Sequence, residues 1–267
     1  MFNTGLIAYG MKLGTIVTAC DSNPLYSDFI PSFIQCWSHL VPEADIHILY
    51  IAESLPPSLA PYSQYIRLLQ PLPGMHTAFQ AQCIRLLYPR EVTRNEGVLI
   101  TDMDMLPMNR SYYVDSIRGI SDSAFVVYRD VCLPSEISMC YNVAHPATWR
   151  SLFGNTPTGT LLQEWYGPTG YDGTHGGTGW NTDQLILVRA FNEWTGPKII
   201  LNDQITKFAR LDRAMPMDLW ERERHRIRSL LLQGYFADYH CLRPYKEFRE
   251  LNDWVVSCLQ ENRNGKQ

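Results

Sequence analysis

The sequence predicts an α/β fold: a single domain with a mostly parallel central sheet flanked by helices. Three observations predict it. Strand-like apolar runs alternate with segments of helical spacing through the first half of the chain, the pattern of βαβ crossovers. Those runs are continuously apolar, as expected of strands buried on both faces. The chain has 267 residues and is 45% hydrophobic, enough for one sizeable core.

Taken in order, "GTIVTACD" (14–21) is a β-branched run ending in polar residues and reads as a buried strand. "SDFIPSFIQCWSHL" (27–40) has helical spacing at Phe29, Phe33, Cys36 and Leu40, with Pro31 in its first turn. "DIHILYIA" (45–52) and "YIRLLQ" (65–70) are further strands. "HTAFQAQCIRLLYP" (76–89) gathers Phe79, Cys83, Leu86 and Leu87 on one helical face. A fourth strand, Val98–Thr101, follows. "SAFVVYRD" (123–130), "ISMCYNVAH" (137–145) and "KIILND" (198–203) read as strands, "PATWRSLF" (146–153) and "TDQLILVRAFNEW" (182–194) as helices. Between them, the glycine-rich "GPTGYDGTHGGTGWN" (167–181) is longer than an ordinary connection and reads as a functional loop. "DLWERERHRIRSLLLQG" (218–234) predicts one amphipathic helix with a solvated charged face that ends at Gly234. "EFRELNDWVVSCLQE" (247–261) predicts a terminal helix, followed by a frayed polar tail (262–267).

Composition narrows the function classes. A net charge of −4 without a dense basic stripe argues against nucleic acid as a partner. The seven cysteines are scattered, odd in number and form no C-x-x-C, which fits buried thiols in a reducing compartment. No apolar run approaches the roughly 18 residues of a transmembrane helix. The first residues lack the charged n-region and long apolar core of a secretory signal. Met11 can serve as a second start, because the regular pattern begins at Lys12. The expectation is a soluble, cytoplasmic chain.

One short stretch carries chemistry. In "GVLITDMDMLPMN" (97–109) a buried strand runs into Asp102 and Asp104. Desolvating two carboxylates costs several kcal/mol each, and each raises the other's pKa unless a cation intervenes. A divalent metal, Mn²⁺ or Mg²⁺, resolves both problems and completes its shell with water and substrate phosphates. The alternative is that both acids cap the following turn. No G-x-x-x-x-G-K-[ST] phosphate loop occurs, and no G-x-G-x-x-G follows the first strand. A haloacid-dehalogenase-type phosphatase also uses two aspartates one residue apart, but with Thr or Val where this chain has Leu106.

The layout resembles a GT-A fold glycosyltransferase, most nearly the glycogenin-like family 8. "GTIVTACDSNPLY" is similar to that family's first strand and its nucleotide-facing end, and "GVLITDMDMLPMN" to its D-x-D strand. "SMCYNVAHPATW" resembles the strand whose Asn contacts the donor sugar, and "WNTDQLILVRAF" the Asp-Gln that opens a helix facing that sugar. "DYHCLRPY" resembles the late His followed by a basic residue and a Pro-aromatic pair. Together these segments span Gly14 to Tyr245. After Asn142 the family prefers a small Ser or Ala and then Gly, where this chain has Val143 and Ala144; Arg243 replaces the usual Lys. Small viral and bacterial sugar transferases share the scaffold.

The resemblance implies a nucleotide-binding half (12–110) and an acceptor and sugar half with C-terminal helices (111–267). It implies a metal held by Asp102, Asp104 and His240, with Asp102 also meeting the donor, and Arg243 on the diphosphate. Asn142 is implied as a sugar contact, against a plain turn role. Asp183 is either a sugar-facing group or a general base, or else an acid favoured by the helix dipole. The residues add Arg85, on the helix before the acid pair, as a diphosphate contact or a solvated side chain. Thr18, Ala19, Asp21 and Ala52 (with Glu53) end the first two strands, where a nucleobase rests. Tyr171, His175, Trp180 and Trp165 flank the glycine-rich loop as sugar-stacking rings or as loop anchors. The expected activity is metal-dependent transfer of a sugar from a UDP-linked donor to a hydroxyl of a glycan or glycoprotein acceptor. The expected place is the cytoplasm, the host's if the source is viral. A nucleotidyltransferase forming an activated sugar is the enzymatic alternative, although "ACDSNPLYSDF" lacks its glycine- and arginine-rich loop with a Lys. A non-catalytic nucleotide-sugar-binding module is the other.

Overall fold

Strand β1 (Leu13–Asp21) is buried at all nine of its residues, the direct outcome of its unbroken apolar run. It pairs in parallel with β2 (Asp45–Ile51) on one side and β4 (Gly97–Ile100) on the other. The computed structural model describes residues 10–264. With β3 (Ile66–Leu69), β6 (Phe125–Val127), β7 (Asn142–Ala144) and β8 (Lys198–Ile200), these strands form a seven-stranded sheet in the order β3-β2-β1-β4-β7-β6-β8. Only β7 runs against its neighbours β4 and β6, so the sheet is mostly parallel, as expected.

Successive residues of each strand point to opposite faces, and both faces are covered. Ile16, Ile48, Leu99 and Val143 share one core with Phe33 and Trp37 of helix Ile30–Leu40 and with Val255 and Leu259 of helix Arg249–Asn264. Val17, Leu49, Val98 and Ile100 share a second core with Phe79 of helix Thr77–Leu87, Trp149 of helix Pro146–Phe153 and Leu187 of helix Thr182–Glu193. Each large side chain buried here contributes roughly 1.5–3 kcal/mol.

A second sheet was not legible in the sequence. β5 (Met105–Pro107), β9 (Ala209–Asp212) and β10 (Phe236–His240) form it in the order β5-β10-β9. β5 pairs antiparallel with β10, and β10 parallel with β9. β5 begins one residue after the acid pair, so Asp102–Asp104 is the turn by which the chain leaves the main sheet for the small one.

Several element boundaries differ from expectation. The strand expected over 137–145 is confined to Asn142–Ala144, because Tyr141 takes a left-handed φ of 65° that breaks an extended run. The strand expected over 123–130 keeps only Phe125–Val127, and that over 198–203 only Lys198–Ile200, where the Asn202 side chain caps a short helix from Asp203. The single helix expected over 218–234 is two, Met217–Arg222 and Arg224–Leu232, separated by Glu223 at φ −96°, ψ 6°. The chain does turn at Gly234, whose φ of 69° suits a residue without Cβ. Helix Thr158–Tyr166, ahead of the glycine-rich loop, was not foreseen. The terminal helix runs on to Asn264, through part of the expected frayed tail. The rest of that tail, and the readings of the first nine residues, lie outside the described ones. Among the described residues no helix is long and apolar enough to cross a membrane.

Candidate active site

A cleft of about 290 Å³ opens where β1 and β4 end, the edge at which open α/β sheets bind ligands. The end of β1 supplies Ala19, Cys20 and Asp21, and the turn after β4 supplies Asp102, Met103 and Asp104. Helix Thr77–Leu87 turns Ala78, Ala81, Gln82 and Arg85 into it, positions that share one helical face. The first turn of helix Thr182–Glu193 adds Asp183 and Gln184. The small sheet brings His240, at the end of β10, with Arg213 and Arg243 from the segments after β9 and β10.

The two acids of the D-M-D stretch face different partners. Arg85, buried in the sheet-facing wall, donates from Nη1 to the Asp102 carboxylate and to the Thr101 carbonyl, the latter at 3.2 Å. Its Nη2 donates to Asp183 Oδ2 at 3.1 Å. One guanidinium therefore serves two carboxylates. Asp183 also accepts from the Gln184 N–H at 2.9 Å. Burial pushes the Asp183 carboxyl up to about 7, with the Asp102 charge adding to it, and the Arg85 charge only partly offsets this. Burial opposes the charge on Arg85, yet Asp102 and Asp183 together raise its pKa above the usual value.

Asp104 faces the other way. Its Oδ2 accepts from Arg213 Nη1 at 2.8 Å and lies 3.3 Å from Arg243 Nε and 3.6 Å from His240 Nε2. Burial would raise this carboxyl; the His240 contact and the Arg243 and Arg213 charges outweigh burial and hold it well below the usual carboxylate range. Burial likewise disfavours charge on His240, but Asp104 wins and raises the imidazole pKa. His240 Nδ1 lies 3.3 Å from Asp212 Oδ2. Register explains the meeting: β10 pairs His240 with Met105, and the Cys241 N–H donates to the Asp104 carbonyl at 2.9 Å.

The donor chemistry of Asp102, Asp104 and His240 suits a hard divalent cation. Asp104 and His240 already stand together, while Asp102 is turned to Arg85. Among the described residues no three such groups converge on one point. Two acids this close need positive charge, and Arg85, Arg213 and Arg243, with His240 beside Asp104, already stand against them.

Of the other anticipated residues, Ala19, Asp21, Arg85 and Arg243 line the cleft. Both Asp21 oxygens are engaged, Oδ1 by the Asn23 N–H at 3.0 Å and Oδ2 by the Thr77 hydroxyl at 2.7 Å, so this acid ties β1 to the start of helix Thr77–Leu87. Thr18, Ala52 and Asn142 are not in the lining. Thr18 is fully buried and its hydroxyl has no partner among the described residues. The Ala52 N–H is spent on the Leu69 carbonyl at 3.1 Å. Asn142 is fully buried; its amide donates to the Ser138 carbonyl at 2.8 Å, and its Oδ1 accepts from none of the described residues. From the glycine-rich loop, His175 and Trp180 reach the cleft, with ring centroids 4.5 Å apart. His175 Nε2 lies 3.1 Å from Arg243 Nη2 across the opening. Tyr171 is buried beneath, stacked on Trp180, and Trp165 lines a separate surface depression with Phe153 and Trp194.

Reasoning from sequence missed Arg213, Tyr26, Gln82, Ser138 and Met139, all in the lining. Gln82 and Tyr26 carried a usable signal: Gln82 shares the helical face of Arg85, and Tyr26 follows β1 closely. Arg213 carried none, because it follows a four-residue strand too short to show a period and belongs to no motif.

No protein-family model matches the chain, and no curated protein does. Among solved structures, the chain is similar to the glycosyltransferase GlyE of Streptococcus pneumoniae TIGR4, with a TM-score of 0.52 at 14% identity. That alignment covers 94% of this chain and 63% of GlyE, so this chain spans less than two thirds of its neighbour. The galactosyltransferase LgtC, solved in complex with donor and acceptor sugar analogs, aligns over 94% of this chain and 95% of its own at 15% identity, with a TM-score of 0.48. At this identity the likeness concerns architecture: the chain has the GT-A fold that its sequence resembled.

Proposed function

We propose that the protein is a glycosyltransferase that moves a sugar from a nucleotide-diphosphate donor, UDP-linked, to the hydroxyl of a glycan or glycoprotein acceptor. One observation carries the reading. Four aspartates, Asp102 and Asp104 among them, and three arginines meet at the C-terminal ends of parallel strands, in a fold similar to that of a known glycosyltransferase. A diphosphate needs cationic partners, and a nucleotide rests at a parallel sheet's edge.

In this reading the base and ribose lie against the end of β1 and Tyr26, within the nucleotide-binding half (12–110). Arg243 and Arg213 contact the diphosphate. Mn²⁺ or Mg²⁺ would be held by Asp104 and His240, with Asp102 joining once it leaves Arg85, and would neutralise charge on the leaving diphosphate. Arg85 fixes Asp183 beside the sugar. With a pKa near 7, Asp183 can hold or release a proton at working pH, which suits an acceptor-hydroxyl base as well as a sugar-hydroxyl partner. The sugar-facing role is preferred. The cleft lies at the low end of the ~300–1,000 Å³ common for ligand sites, so the loop carrying His175 and Trp180 opens for the donor and closes to exclude water. All seven cysteines are free, which supports a reducing, cytoplasmic setting.

The test is a screen of nucleotide sugars that reads released nucleoside diphosphate with and without Mn²⁺. Release that requires metal and rises with an acceptor supports the proposal. Binding without turnover makes the chain a nucleotide-sugar-binding module, and pyrophosphate release from a nucleoside triphosphate with a sugar phosphate makes it a nucleotidyltransferase.

A further inference from the structure

Arg213 belongs to no motif, yet it makes the shortest contact on Asp104. It follows β9 in a tight turn, where the Ala214 N–H donates to the Asp212 carboxylate at 2.8 Å and the Met215 N–H to the Asp212 carbonyl at 3.1 Å. That turn fixes the backbone and leaves the long side chain to cross to Asp104 Oδ2 at 2.8 Å.

Two guanidiniums and the His240 imidazole crowd this one oxygen, and they are not equally bound. His240 is also held by Asp212, at 3.3 Å. Arg243 is also held by His175 at 3.1 Å and packs its guanidinium 5.0 Å from the Tyr26 ring centre. Arg213 makes its direct ion pair with Asp104, with Asp212 acting on it at longer range, and its side chain is 28% exposed against 13% for Arg243. It is the cation that leaves at least cost, since its charge regains water while Asp104 keeps two other partners. Arg213 and Arg243 line the cleft beside Asp104 while Asp212 stands behind His240, so the guanidiniums are the charges this wall turns to an incoming anion.

We propose that Arg213 is an exchangeable counter-ion: it occupies Asp104 in the ligand-free cleft and passes to a diphosphate when a divalent cation takes its place. It acts as a positioning residue that holds the Asp104 carboxylate in place and makes metal and diphosphate bind together. Naming the diphosphate as the donor's rests on the function proposed above; the exchange itself does not.

The test uses the full chain, with MnCl₂ alone and metal-free inorganic pyrophosphate alone as calorimetric probes. Arg213→Gln removes the competitor, so Mn²⁺ should bind about three- to tenfold more tightly, the usual worth of one partly exposed charged contact. Metal-free pyrophosphate should bind more weakly by a similar factor. Arg213→Lys, which keeps the charge without the fork, should restore most of the pyrophosphate affinity. Unchanged affinities, weaker Mn²⁺ binding by Arg213→Gln, or no Mn²⁺ binding by either protein would each overturn the proposal. Because neither probe contains a sugar, the predicted shifts without any sugar release would refute the functional reading and leave the exchange intact.

Discussion

Asp102 and Asp104 are one residue apart and sit in two different environments. Asp102 belongs to the main-sheet wall, where a single Arg85 side chain, 7% exposed, bridges it to Asp183 at 3%. Asp104 belongs to the small-sheet wall, where its partners Arg213, His240 and Arg243 remain 28%, 25% and 13% exposed. The first wall sets one cation against two acids and buries Arg85 and Asp183, although Asp102 itself is 34% exposed. The second wall buries its acid, Asp104 being 5% exposed, and leaves the cations around it more open to water. The buried, charge-short pair raises the Asp183 pKa and is costly to disturb, whereas the partly exposed arginines can exchange partners for an incoming anion.

The comparison breaks most visibly at Arg85. Arg85→Ala leaves Asp183 buried without its cation, so folding stability should fall by about 3–5 kcal/mol, read by denaturant unfolding. Arg213→Gln should fall by less than about 1 kcal/mol. Equal losses at the two positions would erase the distinction between the walls.

Asp183 sharpens it next. Asp183→Asn should lower turnover by roughly 10²–10⁴-fold if the acid is a general base, with donor affinity nearly unchanged. If it grips a donor-sugar hydroxyl, as preferred above, donor binding should weaken too, by about 1.5–3 kcal/mol. Measuring both quantities and assigning the product anomer by NMR separates the roles, and normal turnover removes Asp183 from the site. The pH dependence has a definite sign. The folded pKa, about 7, exceeds the ordinary 3.8, so the folded state binds the extra proton. Stability from this group is complete below about pH 4 and is lost as pH rises through 7. Asp183→Asn should remove that loss, flattening the melting temperature between pH 4 and 7.

The same division separates what the sequence disclosed from what it hid. The main-sheet wall was legible: unbroken apolar runs marked β1, β2 and β4, the acid pair stood at a strand end, and Arg85 lay on a periodic helix. The small-sheet wall was not. β5 is three residues long and β9 is four, too short for a periodic signal. Their partner β10 reaches Met105 from position 240, a pairing that no local pattern encodes. His240 was found through a resembling motif, while Arg213, outside any motif, was missed. Tyr141 was hidden for another reason, since a left-handed tyrosine breaks the rule by which strands are read.

A smaller effect concerns the loop over both walls. Residues 167–181 hold six glycines, and their ordering entropy is high. The His175–Arg243 contact closes the loop on the cleft, while Asp172 accepts from the Thr174 and Thr178 N–H groups at 2.8 and 3.1 Å and pins its base. Hydrogen exchange should show protection rising on UDP-sugar binding around His175 and little change at Tyr171, which is buried already. Strong, equal protection with and without ligand would make the loop a fixed part of the scaffold.

If the acid pair serves a donor diphosphate through a divalent cation, loss of the Asp104 charge should abolish the metal's effect on donor binding. UDP-sugar titrated calorimetrically into the wild type and Asp104→Asn, each with and without Mn²⁺, should bind the wild type more tightly in Mn²⁺. Asp104→Asn should lose that metal-dependent gain while its circular dichroism stays unchanged. An undiminished Mn²⁺-dependent affinity in Asp104→Asn would contradict the account.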